Sequence, residues 1–309
     1  MPIGNTSKTL ITIVGPTAVG KTALAIQLAQ YFQTEIVSAD SRQFFREMSI
    51  GTAKPSPAEL ATAPHHFINS HSIQELFSTG EFEVDAINTL ESIFEKHDYA
   101  ILVGGSGLYI NAVCNGLDEL PETSLTVREE LNKRFLQDGI TQLRKELQRL
   151  DPEYFERVDQ SNTRRVIRGL EFVLSTGKKL SSFQTNSKKK RPFNIVKIGL
   201  NVDRPILYDQ INKRVEIMME EGLFEEVERL KPFQHLNALK TVGYSELFEY
   251  MDGTLTLAQS LDLIKQNTRR FAKRQLTWFR KDEQIIWFEP NQITEILKHI
   301  NHVTTKPEQ

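Results

Sequence analysis

At 309 residues, 39% hydrophobic and 25% charged, the chain has material for one large or two modest domains whose core needs no disulfide or metal staple. That composition excludes disordered, collagen-like, coiled-coil and disulfide-scaffold classes, and the single cysteine, Cys114, excludes an internal bridge. The net charge of -2 conceals segregation: residues 160–200 hold ten Lys/Arg and one acid, Glu171, and residues 265–281 hold seven bases and no acid.

The first predicted element is a strand over Leu10 to Val14, a short β-branched apolar run. A glycine-bounded loop, Gly15 to Gly20, separates it from a helix carrying Ala23, Leu24, Ile26, Leu28 and Ala29. A second strand is expected at Glu35 to Ala39 and a third at Tyr99 to Val103. The third is a continuous apolar run ending in Gly104-Gly105, the pattern of a strand buried on both faces of a parallel sheet. Strands alternating with helices predict a doubly wound α/β core with ligands at the carboxyl ends of the strands.

After Pro121 the pattern turns helical, over Thr126 to Leu136, Thr141 to Leu150 and Thr163 to Thr176, with Gly177 as the stop of the last. Lys-rich Ser181 to Arg191 is read as a flexible connector, and the apolar run Ile195 to Val202 as a strand that returns to the sheet. Residues 121–191 are therefore expected to form an inserted helical domain, with 1–120 and 192–309 as the core. The rest is expected to be helical to about Arg280, followed by a short strand at Gln284 to Phe288 and a C-terminal helix.

At about 100° per residue, Arg269, Arg270, Lys273, Arg274, Arg280 and Lys281 fall within roughly 140° of one helix face, opposite Phe271, Ala272, Leu276, Trp278 and Phe279. Two basic zones in a near-neutral chain point to a polyanionic partner. Acids such as Glu216, Glu220, Glu221, Glu225, Glu226 and Glu228 supply much of the compensating charge. No stretch approaches the roughly 18 apolar residues of a membrane span, and Met1 to Leu10 lacks a basic segment followed by an apolar one, so a cytoplasmic protein without a membrane partner is expected.

Gly15-Pro16-Thr17-Ala18-Val19-Gly20-Lys21-Thr22 matches G-x4-G-K-S/T between a strand and a helix, the context in which backbone N–H groups wrap phosphate oxygens. Lys21 would meet the terminal phosphate and Thr22 would bind Mg²⁺. The third strand lacks the terminal Asp of many nucleotide hydrolases. Asp40, closing the second strand, stands as a catalytic or metal-binding carboxylate or as the N-cap of a following helix. His65-His66 after Pro64 is read as a loop without a metal, and Cys114 as a small core residue.

Six ordered segments carry a resemblance: Gly15 to Thr22; Asp40-Ser41-Arg42-Gln43; Ile50 to Pro55; Gly104-Gly105-Ser106-Gly107-Leu108-Tyr109; Gln160 to Arg164; and Val242-Gly243-Tyr244. Together they span nearly the whole chain, which resembles the tRNA dimethylallyltransferases, or tRNA isopentenylpyrophosphate transferases, of the bacterial type.

The resemblance implies a nucleotide-kinase-like P-loop core with an inserted domain that grips the anticodon stem-loop of tRNA. It implies transfer of a dimethylallyl group from dimethylallyl pyrophosphate to N6 of the adenine 3′ of the anticodon; a monomer that uses Mg²⁺ is expected. Gly15 to Thr22 would bind the pyrophosphate, with Lys21, Thr22 and Arg214 neutralising it, and Asp40 would be the general base. Asp40, Ser41, Arg42 and Gln43, Ser106, Arg128, and Gln160, Ser161, Asn162, Thr163 and Arg164 would meet tRNA. For Arg214 the competing reading is a surface arginine. For Tyr244, expected near the anticodon loop, it is a core tyrosine with a polar tip. Ser106 replaces a common Thr and keeps its hydroxyl; Phe45 replaces a common Tyr and loses the phenol. The rival functions are a small-molecule kinase using ATP and a nucleic-acid-binding NTPase switch; neither accounts for all of these segments.

Overall fold

A computed structural model describes residues 8–185 and 187–305, so the reading of the N-terminal segment lies largely outside the described residues. Two compact units are present, one formed by Met1–Asn115 with Lys190–Gln309 and one by Gly116–Lys189.

The larger unit is built on a six-stranded sheet. Its strands are β1 (Thr9–Val14), β2 (Ile36–Ser38), β3 (His65–His66), β4 (Tyr99–Gly104), β5 (Asn194–Leu200) and β6 (Ile286–Phe288), in the order β3-β2-β4-β1-β5-β6. All pairings are parallel; in the centre Leu10 faces Ala100 of β4 and Ile195 of β5. Alternation along β1 sends Leu10 and Val14 into one apolar cluster and Ile11 and Ile13 into another, so the strand is buried on both faces.

The helices of this unit are α1 (Lys21–Phe32), α2 (Pro57–Thr62), α3 (Thr79–Phe94) and α4 (Gly107–Asn115). The smaller unit contributes α5 (Leu125–Asp138), α6 (Ile140–Leu150), α7 (Pro152–Arg157) and α8 (Thr163–Thr176), and the chain then returns through α9 (Arg204–Glu220), α10 (Leu223–Leu230), α11 (Tyr244–Met251), α12 (Leu257–Phe279) and α13 (Ile293–Thr305). Helices α9 to α12 enclose a third core, with Val215, Leu223, Val227, Leu247 and Ile264 packed around Phe44, Phe45 and Met48. Among the described residues no helix is long and apolar enough to cross a membrane. Cys114 is buried, its Sγ 3.6 Å from Thr12 Oγ1, and burial pushes the thiol pKa up.

Two expectations are corrected. The His65-His66 loop is instead an edge strand, held because Ile36 N–H donates to the Pro64 carbonyl (2.9 Å) ahead of the pairing with β2. The fifth strand stops at Leu200 rather than Val202, since Pro205 sits in the first turn of α9 just beyond. The connector from Ser181 to Arg191 is held at its two ends. Ser181 gives its N–H and hydroxyl to buried Asp151 (2.9 and 2.6 Å), and Arg191 donates to the Val113 carbonyl (2.8 Å) and to Glu83 (2.8 Å).

In the smaller unit, Leu131, Leu143, Leu147, Val166, Leu170 and Phe172 form the core. Gly177, at φ +68°, caps α8. Asp151 caps α7 by accepting the Tyr154 N–H.

Candidate active site

The loop after β1 carries the G-x4-G-K-T motif. Gly15 has φ +148°, and a Cβ there would lie 2.5 Å from the Leu200 carbonyl oxygen, so only glycine lets the loop pass this close to β5. Gly20, at φ +95°, turns the chain into α1 and puts Lys21 and Thr22 in its first turn. Lys21 Nζ donates to the Pro16 carbonyl (2.7 Å), so the lysine folds back over the loop.

Asp40 follows β2, and its Oδ1 accepts the Arg42 N–H at 2.9 Å. The chain then makes turns and not a helix, so the carboxylate stabilises an Asx turn and the N-cap alternative falls. Lys21 and Asp40 line one cavity and act on each other electrostatically. Burial pulls the Lys21 ammonium down to about 7 against the attraction of Asp40, and the Arg214 charge pulls it the same way. Burial likewise raises the Asp40 carboxyl above its ordinary range, opposed by the Arg42 N–H and by Lys21.

Two cavities meet here. The polar one is lined by the loop residues Thr17, Ala18, Gly20, Lys21 and Thr22 with Ser38, Asp40 and Gln43. The other has an apolar end made by Ile211, Val215, Met218, Leu223, Val242 and Ile264. Thr17, Asp40, Thr52, Ala53, Arg214 and Phe271 border both. Arg214 is placed at this boundary by α9, its Nη1 3.5 Å from Thr17 Oγ1, and burial lowers its pKa. It is not the surface arginine of the competing reading.

Ser106 belongs to the same group. Its Oγ accepts the Ser41 N–H (3.0 Å) and donates to Ser41 Oγ (3.1 Å), joining the turn after β2 to the loop after β4. Gln43 Oε1 accepts from Ser38 Oγ (3.2 Å), while its Nε2 donates to the carbonyls of Thr52 and Ala53. Arg42 lines the cavity with the apolar end.

The remaining sequence-derived residues lie in the smaller unit. Gln160 and Ser161 precede α8, Asn162 caps it through the Arg165 N–H (3.3 Å), and Thr163 and Arg164 open its first turn. Arg128 on α5 donates through Nε and Nη2 to buried Glu171 (3.1 and 2.9 Å).

One reading needs correction. Tyr244 is 0% exposed and donates its hydroxyl to Glu226 (2.6 Å), so it presents no face to a partner and is the core tyrosine of the competing reading. On α12, Phe271 and Trp278, opposite the basic arc, are 39% and 45% exposed. The buried line is Ser260, Ile264, Ala272, Gln275 and Phe279, and Phe271 borders both cavities. Sequence reasoning missed Gln275, whose amide joins Thr17 to Gly105; the available signal was a lone polar side chain on the stripe shared by Ala272 and Phe279. Glu226 was missed too, because in sequence it is one of several acids that offset the basic zones.

The donor set fits a magnesium ion. Thr22 and Asp40 offer hard oxygens on the rim of the polar cavity, which suits an ion that binds through few protein groups plus phosphate. Among the described residues no group of three His, Cys, Asp or Glu side chains could hold a metal instead.

The family model for IPP transferases matches residues 43–282. The chain belongs to the IPP transferase family. It is 48% identical to tRNA dimethylallyltransferase 1 of Phocaeicola vulgatus, over 96% of this chain and 98% of that one, and 54% identical to the tRNA dimethylallyltransferase of Christiangramia forsetii, over 92% and 94%. Its fold is similar to that of the tRNA isopentenylpyrophosphate transferase from Bacillus halodurans (TM-score 0.72, 37% identity, 96% and 97% covered). It is also similar to a eukaryotic dimethylallyltransferase acting on tRNA (TM-score 0.81, 25% identity, 98% and 81% covered). Within the IPP transferase family the kinase and switch readings of the phosphate loop give way to prenyl transfer.

Proposed function

We propose that this IPP transferase moves a dimethylallyl group from dimethylallyl pyrophosphate to N6 of the adenine 3′ of the anticodon in tRNA, releasing pyrophosphate. One observation carries the reading: the polar cavity of the glycine loop and a cavity with an apolar end share the Thr17–Asp40–Arg214 border. An amphiphilic donor needs that arrangement, with its charged head and C5 tail on either side of the bond to be broken.

In the reaction the C1–O bond of the donor breaks, a bond forms between C1 and N6, and one N6 proton passes to the Asp40 carboxylate. The loop N–H groups, Lys21 and Arg214 hold the growing charge of the departing pyrophosphate, and their hold is worth most in the transition state, when that charge is largest. The Thr22 hydroxyl would hold Mg²⁺, which would supply further neutralisation of that charge. Asp40 suits the base role because burial raises its carboxyl toward the working pH.

The acceptor adenine is stacked in an RNA loop and must leave its stack to reach this border. Asp40, Ser41, Arg42, Gln43 and Ser106 are the proposed contacts for that nucleotide, and exposed Phe271 offers an aromatic face on the cavity rim. In the smaller unit, Arg128 and residues 160–164 are the proposed tRNA contacts, and residues 121–191 the stem-loop-binding domain. The enzyme is proposed to act as a cytoplasmic monomer.

Incubation with dimethylallyl pyrophosphate, Mg²⁺ and a tRNA bearing the target adenine tests the reading. A mass gain of one C5 unit on that nucleoside with stoichiometric pyrophosphate is expected. ATP turnover on a small metabolite, with no tRNA product, would sink it.

A further inference from the structure

Glu226 on α10 is 3% exposed, yet its carboxylate is met by four donors. Oε2 accepts the N–H groups of Ser49 (3.0 Å) and Ile50 (2.9 Å), and Oε1 accepts the Gly51 N–H (3.1 Å) and the Tyr244 hydroxyl (2.6 Å). Three successive N–H groups at the start of the 3-10 turn Ile50–Thr52 thus converge on one buried anion, the arrangement that helix N-termini offer to phosphates. Tyr244 completes the shell, and burial beside Glu226 pushes its hydroxyl pKa up, so it remains a donor.

The phenol ring also sets the height of the turn. A Cβ on Gly51 would come within 2.5 Å of Tyr244 Cε2 and 2.7 Å of Cζ, so the backbone rests directly on the ring. At the far end Ala53 takes φ +50° and returns its N–H to the Ile50 carbonyl (2.9 Å). A non-glycine residue in that region persists only where its surroundings hold it.

What the clamp holds is a wall of the site. Gly51, Thr52 and Ala53 line the cavity with the apolar end, and Thr52 and Ala53 also line the polar one. The carbonyls of Thr52 and Ala53 fix Gln43 Nε2 at 3.2 and 3.0 Å, so the turn sets the side chain three residues after Asp40. A buried carboxylate is an expensive way to fill space, since apolar residues of equal volume often stabilise as well or better. Its advantage is direction: four short hydrogen bonds fix a backbone segment that side-chain packing alone would leave free to shift.

We propose that Glu226 and Tyr244 are positioning residues for the prenyl donor, clamping the 50–53 turn so that the apolar cavity keeps its shape against the phosphate loop. This rests on the donor reading above. Neither residue touches the reacting atoms; both act through Gly51, Thr52 and Ala53.

The test uses the full chain with Glu226→Gln and Tyr244→Phe, measuring affinity for dimethylallyl pyrophosphate, affinity for inorganic pyrophosphate, and single-turnover rate. Glutamine keeps the volume but turns an N–H toward one of the donors, and phenylalanine keeps the ring but removes the fourth bond. Each is expected to weaken dimethylallyl pyrophosphate by about tenfold, raising its KM, while pyrophosphate affinity and the rate at saturating donor stay within about twofold. The double variant should lose about as much as one single variant, because both break one unit.

A variant that merely loosened the fold would lose both ligands alike, and that result overturns the proposal, as does unchanged donor affinity. If Glu226→Gln fails to fold, Gly51→Ala tests the same wall with the carboxylate itself kept, since its methyl pushes the turn away from the Tyr244 ring; it should show the same split, and equal loss of both ligands or of neither again overturns the proposal. A wild-type protein that holds dimethylallyl pyrophosphate no more tightly than pyrophosphate overturns the donor reading itself, a result visible before any substitution is made.

Discussion

The Thr17 N–H donates to Gln275 Oε1 at 2.8 Å, so a side chain far along the sequence completes the phosphate loop. The other end of the same amide donates to the Gly105 carbonyl at 2.9 Å, and Gln275 is 5% exposed. One buried amide therefore ties the loop after β1 to the loop after β4. Gln275→Leu leaves an N–H and a carbonyl without partners and is expected to destabilise by about 1–3 kcal/mol. Gln275→Glu keeps the acceptor for Thr17 but sets a negative charge against the Gly105 carbonyl and beside the phosphate cavity. Donor affinity should fall in both variants, further in Glu than in Leu, with tRNA affinity kept. Titration with dimethylallyl pyrophosphate checks the ranking; equal affinity in all three proteins would refute the brace.

The proposed proton acceptor is tested by Asp40→Asn, which keeps an oxygen for the Arg42 N–H and so preserves the turn. The single-turnover rate should drop by about 10²- to 10⁴-fold while tRNA affinity is largely retained. Because burial raises the Asp40 carboxyl, the wild-type rate should decline on acidification earlier than an ordinary carboxylate would allow, and the variant should not share that decline. Collapse of tRNA affinity with an intact rate on bound substrate would reassign Asp40 to binding.

Much of this site was legible because its chemistry is local. A phosphate cradle needs its glycines, lysine and hydroxyl in one short stretch, Leu10–Val14 declares a strand through its β-branched residues, and Tyr99–Val103 a buried parallel strand through a continuous apolar run. Residues whose roles depend on distant partners were not legible. Glu226 sits in a run of acids and reads as solvated until Ser49, Ile50, Gly51 and Tyr244 fold onto it. Phe271 shows the limit of a helical wheel, which sets it opposite the basic arc but cannot show that α12 also borders a cavity there, where Phe271 is exposed.

Lys21 gives the pH prediction. With its pKa near 7 in the ligand-free protein, the side chain is mostly neutral at pH 8, whereas a bound diphosphate favours the ammonium and raises the pKa. Binding then takes up a proton above pH 7, so affinity must fall as pH rises, by up to about tenfold per unit. Measured with metal chelated, donor affinity should weaken steadily from pH 7 to 9, with proton uptake seen by calorimetry in buffers of different ionisation enthalpy. Lys21→Met should bind weakly and without that slope. A flat wild-type profile would mean that the lysine is already charged.

In the smaller unit, Arg128 and Glu171 separate a structural role from an RNA-binding one. Glu171 is 1% exposed and takes two hydrogen bonds from Arg128, one from Thr123 at 2.7 Å, and an ion pair from Arg168 at 3.5 Å. Arg128→Ala withdraws the best-placed cation from a buried carboxylate and should cost about 1–3 kcal/mol of local stability, softened because the arginine is half exposed and Arg168 remains. Amide hydrogen exchange over residues 116–189 should quicken accordingly, with the core strands β1 and β4 unaffected. If the guanidinium serves mainly this pair, the salt dependence of tRNA binding keeps its slope in the variant. A slope reduced by about one, with exchange unchanged, would instead make Arg128 a phosphate contact.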